Sequence, residues 1–201
     1  MITVIFSMTM FALVGAISPG PVNIIATSSG ACFGFRRTVP HVFGATLAYA
    51  LIVLLVGMGL NQTLTQYPEI TGVMTYLGCA FLLYMSFKIA TAVPIDFMQG
   101  TEVEQPPTFI EGALSQGLNP KAWLVSMSGV SVFVAVHAQS TLYLLVFSAI
   151  SFIVCFVGIA TWAALGHLIQ GQLSTRARQI KFNITMGLLL SCTVVSMLFG
   201  R

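Results

Sequence analysis

Two proline-containing motifs interrupt long apolar segments of this chain. The first is Pro19-Gly20-Pro21 and the second is Asn119-Pro120. Proline has no backbone N–H, and its ring clashes with the carbonyl four residues earlier, so a regular helix cannot continue through either motif. In water the freed carbonyls would be hydrated, but in a bilayer they need protein, a cavity or a ligand. Each motif therefore predicts two short helices in place of one long one.

The composition places these breaks in a bilayer. Of the 201 residues, 57% are hydrophobic and 6% are charged, whereas a soluble domain has about 25% charged residues. A surface with so few charges cannot face water, so we predict an all-α integral membrane protein with a single transmembrane domain over residues 1–201. The net charge of +3 is small, and no nucleic-acid partner is expected.

Six apolar blocks are long enough to cross about 30 Å of hydrocarbon, and a polar loop at about residues 91–108 divides them into two groups of three. The loops after spans 1, 3 and 5 carry basic residues, whereas only Arg201 lies on the opposite side. By the positive-inside rule these loops are cytoplasmic, which leaves both termini outside. The basic residues concerned are Arg36, Arg37, Lys88, Arg176, Arg178 and Lys181.

The two breaks occupy equivalent places in two halves of the chain. A shift of 101 positions lays Pro19 onto Pro120, and the pseudo-repeats cover about residues 1–90 and 109–201. Because each half has three spans, the second half enters the membrane from the opposite face. Inverted repeats with a broken first helix are typical of secondary transporters, whose substrate lies where the breaks meet. Two unrelated proline kinks are the alternative interpretation.

A pair of broken helices suits a molecule that carries both a carboxylate and an ammonium. The helix that starts after a break presents unpaired amides to an anion, and the helix that ends before it presents freed carbonyls to a cation. Asn23 and Asn119 either orient the substrate or bridge the breaks. An ionised lysine in mid-membrane is costly unless it is paired or hydrated, and such residues usually have a function. Lys121 is therefore a functional candidate. The predicted binding residues are Gly15, Ile17, Ser18, Pro19, Gly20, Pro21, Val22, Asn23, Gln116, Asn119, Pro120 and Lys121.

No metal site, cofactor or catalytic residue is expected, and the chain is not expected to be an enzyme. The four cysteines occur singly, without a Cys-x-x-Cys pair or a His/Cys cluster at metal-ligand spacing. Two other classes of function stay open. A thiol–disulfide electron-transfer membrane protein would need cysteines beside the breaks, and a passive channel or structural membrane subunit would show no coupling to a gradient.

The residues around both breaks resemble those of the LysE/RhtB family of amino-acid exporters. The first half has the Pro-Gly-Pro motif, Asn23 and the turn Gly34-Phe35-Arg36-Arg37. The second half has Glu-Gly-x(4)-Gly-x-Asn-Pro-Lys-Ala from Glu111 to Ala122. The resemblance covers essentially the whole chain. It implies proton-coupled export of small amino acids or their derivatives from the cytoplasm across the bacterial inner membrane, by alternating access around the broken helices.

One departure from the family pattern bears on the substrate. Many members carry Gly-Asp in the second span where this chain has Ala48-Tyr49. The absence of that carboxylate argues against a cationic substrate such as lysine. The chain more closely resembles the branch that exports cysteine and O-acetylserine, so the expected substrate is a small neutral amino acid. The sequence leaves open whether the chain acts alone or as a homo-oligomer.

Overall fold

The computed structural model describes residues 2–60, 66–94 and 105–199, and every regular element in these ranges is helical. Most of the predicted loop at 91–108 and Arg201 lie outside the described residues. A π-helical turn, Val56–Leu60, extends α3, and a 3-10 turn, Gln170–Gln172, extends α7. The helices are α1 (Ile2–Ile17), α2 (Pro21–Phe33), α3 (Phe35–Leu55), α4 (Pro68–Ala90), α5 (Phe109–Gly117), α6 (Pro120–Phe133), α7 (Ser140–Ile169) and α8 (Arg176–Phe199).

Both predicted breaks are confirmed as helix ends. The first separates α1 from α2, and the two helices are bent relative to each other by 61°. The second separates α5 from α6. In each case a proline, Pro21 or Pro120, takes the first position of the second helix. A missing N–H has no consequence at that position, because the first amides of a helix have no intrahelical acceptor.

The helices agree with the prediction of a membrane protein. Three are long and apolar enough to cross a bilayer, and α1 with α2 make a fourth, bent span. The apolar part of α4, Thr75–Ala90, is shorter. The count of six spans in two inverted repeats therefore remains a prediction. The three long apolar helices are Phe35–Gly59, Ser140–Gln172 and Arg176–Phe199.

Helices α2 and α7 cross with their backbones in contact. A Cβ at Gly30 would overlap the carbonyl of Ala163, and a Cβ at Gly166 would overlap the carbonyl of Thr27. Small residues let membrane helices approach closely, and van der Waals packing supplies much of the attraction between helices in lipid. This crossing therefore holds α2, the helix after the first break, in a fixed position.

Helices α3 and α5 cross in the same way. Gly44 faces the carbonyl of Phe109, and Gly112 faces the carbonyl of His41. The His41 side chain is fully buried here, and neither ring nitrogen has a hydrogen-bond partner among the described residues. The crossing fixes α5, the helix before the second break.

Side-chain contacts gather several helix ends at one end of the bundle. Lys88, near the end of α4, forms an ion pair of 2.7 Å with Glu111, in the first turn of α5. Asn183, in the second turn of α8, donates to the carbonyl of Ala92 at 3.2 Å and accepts from Cys32, at the end of α2, at 3.4 Å. The helix ends that adjoin the basic loops thus lie together.

Candidate functional site

A cavity lies between the two helix breaks. It contains about 470 Å³ of empty space, part of it open to the surface. Residues from both breaks line it, together with side chains from α3 and α7. The lining residues are Ala12, Gly15, Ala16, Ser18, Gly20, Val22, Asn23, Tyr49, Gln116, Asn119, Lys121, Ala122, Val125, Cys155 and Ile159.

The carbonyls at the first break accept hydrogen bonds from other groups of the protein. Asn23 reaches back and donates its side-chain amide to the carbonyls of Ala16 at 2.9 Å and Ser18 at 3.1 Å. The carbonyls of Gly15 and Ile17, which Pro19 and Pro21 deprive of their usual donors, are also paired. The former accepts from the Ser18 hydroxyl at 3.1 Å, and the latter from the Trp162 indole at 3.3 Å. The expectation that these carbonyls are free is therefore wrong for this structure.

The second break is closed by its own residues. The Asn119 side chain accepts from the Lys121 amide at 3.1 Å and donates to the Gln116 side chain at 3.2 Å. The carbonyl of Gln116, which Pro120 deprives of a donor, accepts from the Asn119 amide at 3.1 Å. The Trp123 indole donates to the carbonyl of Gly117 at 2.8 Å. Both asparagines thus bridge their breaks in this structure.

The starts of α2 and α6 differ in how they are capped. Asn119 caps α6 with its side chain, whereas Gly20, the residue that caps α2, makes no side-chain hydrogen bond. The first amides of a helix need an acceptor, and its positive dipole end favours an anion. The start of α2 is therefore the more suitable place for a carboxylate.

Lys121 connects the two breaks across 103 positions of sequence. Its ammonium donates to the Ser18 hydroxyl at 2.6 Å, the Ser18 carbonyl at 3.2 Å and the Pro19 carbonyl at 3.5 Å. The side chain is partly buried at the edge of the cavity, beside Gly20. It is the only charged group among the lining residues.

The structure brings most of the predicted binding residues to the cavity. Those that do not line it are Ile17, Pro19, Pro21 and Pro120, although the Pro19 carbonyl accepts from Lys121. The binding roles of all twelve predicted residues remain predictions. The predicted residues that line the cavity are Gly15, Ser18, Gly20, Val22, Asn23, Gln116, Asn119 and Lys121.

Three residues join the site from elsewhere in the chain. Tyr49 and Cys155 line the cavity from α3 and α7 and are almost fully buried, and Trp162 contacts the first break. Cys155 also accepts from the Gln116 side chain at 3.8 Å. Of these three residues, Tyr49 alone is singled out by the family resemblance, which implies an aspartate at its position in many members.

The chemistry of the cavity follows from these groups. It contains one ammonium, carbonyl oxygens at the end of α1, an uncapped helix start and apolar walls, with no carboxylate among its lining residues. These groups complement a small molecule that carries one negative and one positive charge. An apolar pocket with a few placed polar groups is typical of a small-molecule site.

These features define a helical membrane protein with a polar site between two broken helices, and comparison with known proteins gives its family. A model described as "LysE type translocator" matches residues 13–199, so the chain belongs to that family. It is 30% identical over 181 residues to a cysteine/O-acetylserine efflux protein of Salmonella typhimurium (strain LT2), covering 90% of each chain. The protein of that name from Escherichia coli (strain K12) is 30% identical over 190 residues, or 94% of each chain. No solved structure is significantly similar.

Proposed function

We propose that this protein exports small neutral amino acids or their derivatives from the bacterial cytoplasm, with cysteine and O-acetylserine as the first candidates. Its membership of the LysE type translocators supports transport. The names of its relatives support efflux and this substrate class. The observation that carries the proposal is the cavity between the breaks, where Lys121 is the one charged side chain among the described lining residues.

In this proposal the carboxylate of the substrate binds beside Lys121 and the start of α2. The ammonium of Lys121 has no acidic partner, because the only ion pair within residues 2–60, 66–94 and 105–199 is Lys88–Glu111. A substrate carboxylate supplies the missing negative charge. A charge-assisted hydrogen bond of this kind is stronger than a neutral one.

The absence of a carboxylate among the lining residues excludes cationic amino acids in this proposal. Lysine would bring an additional ammonium into a cavity that already contains Lys121. Tyr49 lines the cavity, and the family resemblance implies that many members carry at this position an aspartate, which would balance such a charge. Its phenol offers a hydrogen bond without a negative charge.

The proposed architecture is six spans in two inverted repeats, in the inner membrane and with both termini outside. The helix ends that adjoin the basic loops lie together at one end of the bundle, which supports this orientation. Transport then proceeds by alternating access around the two breaks, coupled to the proton gradient. In this arrangement α2 and α5 lie in the cytoplasmic half and α1 and α6 in the outer half.

Uptake into inverted inner-membrane vesicles tests the proposal. Because export from the cell corresponds to uptake in this preparation, we expect accumulation of labelled cysteine or O-acetylserine against its gradient when the vesicle interior is acidified. An uncoupler should abolish accumulation, and labelled lysine should stay at the level of vesicles without the protein. Equal fluxes of all the amino acids, insensitive to the uncoupler, would instead indicate a passive channel. No uptake of any small neutral amino acid would contradict the proposed function.

A further inference from the structure

The ammonium of Lys121 lies in a cluster of oxygens that belongs entirely to the first break. The three acceptors are the hydroxyl and carbonyl of Ser18 and the carbonyl of Pro19, at 2.6, 3.2 and 3.5 Å. A primary ammonium has three N–H donors, so this cluster matches its hydrogen-bonding capacity. None of these acceptors carries a full negative charge. They therefore recognise an ammonium by its N–H donors and leave its positive charge without a counter-ion.

The oxygen cluster follows from the sequence of the break. The chain leaves its helix after Ile17, so the carbonyls of Ser18 and Pro19 have no donor within α1. The Ser18 carbonyl also accepts from the Asn23 side chain at 3.1 Å, so the ammonium shares this oxygen. These carbonyls also lie at the negative end of the α1 dipole. Gly20 lies beside the ammonium, and a Cβ at this position would be in ordinary van der Waals contact with the Lys121 nitrogen, at 3.4 Å. Ser18 and Gly20 both line the cavity, so a small molecule in the cavity can reach the same oxygens.

We propose that the Ser18 and Pro19 oxygens form the subsite for the ammonium of the substrate, and that Lys121 occupies this subsite when no substrate is bound. This inference rests on the proposed function. On binding, the substrate ammonium displaces the lysine, whose flexible four-carbon stem lets its charge turn to the substrate carboxylate. The lysine thus acts first as a tethered competitor and then as the counter-ion.

A tethered competitor weakens the binding of any ligand that uses only its subsite. Lys121 is attached within reach of the oxygens, and a short tether corresponds to an effective concentration of about millimolar or higher. A primary amine without a carboxylate must displace Lys121 and gives it no new partner. Removal of the lysine charge should therefore strengthen the binding of such an amine. The same removal should weaken the binding of a carboxylate without an amine.

Equilibrium binding to the purified full-length protein in detergent tests this inference. The probes are cysteine, cysteamine (the amine without the carboxylate) and 3-mercaptopropionate (the carboxylate without the amine), measured by titration calorimetry under reducing conditions. In the Lys121→Met variant we expect cysteamine to bind at least about 10-fold more tightly than in the wild type and 3-mercaptopropionate at least about 10-fold more weakly. Lys121→Gln, which retains a polar side chain, should change both affinities in the same directions.

Two controls separate this inference from a structural role. Lys181→Met removes an exposed lysine outside the cavity and should leave both affinities unchanged. Adding Ser18→Ala to Lys121→Met removes one of the three oxygens and should weaken cysteamine binding again. If the wild-type protein binds cysteine but cysteamine binding is weaker or unchanged in both Lys121 variants, this inference is overturned and the proposed function is not. If the wild type binds neither cysteine nor any other small neutral amino acid, the proposed function is overturned, and the inference with it.

Discussion

Replacing Lys121 with methionine is expected to lower the initial rate of cysteine or O-acetylserine uptake into inverted vesicles by at least about 10-fold. A hydrogen bond to a charged group contributes about 1.5–3 kcal/mol, and each 1.4 kcal/mol corresponds to a factor of 10. Among the described residues that line the cavity, Lys121 carries the only charge, and the variant loses this charge together with its hydrogen bonds to the first break. Methionine has a similar length to lysine, so the lower uptake rate would reflect the lost charge more than a change in side-chain volume.

The matched control is Lys181→Met, which removes an exposed lysine from the first turns of α8. It should retain the wild-type rate, because Lys181 does not line the cavity. Membrane levels of both variants are compared by immunoblotting, and their assembly by size-exclusion chromatography in detergent. Full uptake by a properly assembled Lys121→Met protein would show that the cavity does not use this charge.

Replacing Gly166 with alanine is expected to lower the melting temperature of the detergent-solubilised protein by roughly 5 °C or more. The added Cβ would overlap the backbone carbonyl of Thr27, which cannot rotate away as a flexible side chain would. Overpacking of a tight interface costs about 1–3 kcal/mol, and in a domain of this size each kcal/mol shifts the melting temperature by roughly 2–4 °C. The crossing of α2 and α7 should therefore loosen, and with it the first break.

Gly72→Ala provides the comparison within the same fold. Gly72 lies in α4, and a Cβ there meets no atom of the described part of the chain within 4 Å. Alanine is a better helix former than glycine by about 0.5–1 kcal/mol, so this variant should melt at the wild-type temperature or slightly above it. The two substitutions are chemically identical and differ in what the new methyl group meets. Equal melting temperatures for both variants would show that the α2–α7 contact is looser than the structure indicates.

The helix breaks could be predicted from the sequence because their cause is local. Pro19, Pro21 and Pro120 remove specific backbone donors whatever the rest of the chain does. The capping of α6 by Asn119 is equally local, since its partners, Gln116 and Lys121, lie within three residues. A sequence pattern is sufficient wherever the interacting groups are close along the chain.

The partners of the first break could not be predicted in this way. Trp162 reaches the Ile17 carbonyl from 145 positions away, and Lys121 reaches Ser18 from 103 positions away. Their meeting depends on how α7 and α6 pack, which no local pattern encodes. For this reason the sequence indicated free carbonyls, and the structure shows that protein donors already occupy them. The candidate site is accordingly less a set of open backbone groups than a cavity lined by one charged side chain, that of Lys121.

Protection of a cavity cysteine by substrate tests most directly that a small neutral amino acid binds between the breaks. In a background with Cys32, Cys79, Cys155 and Cys192 replaced by serine, Val125→Cys places a thiol in the cavity wall, whereas Gln139→Cys places one on the exposed surface at the start of α7. Both variants are first required to take up O-acetylserine in inverted vesicles. We predict that saturating O-acetylserine slows methanethiosulfonate modification of the Val125→Cys thiol several-fold and leaves the Gln139→Cys thiol unaffected. Unchanged modification of the Val125→Cys thiol, in a variant that still transports O-acetylserine, would contradict a binding site between the two broken helices.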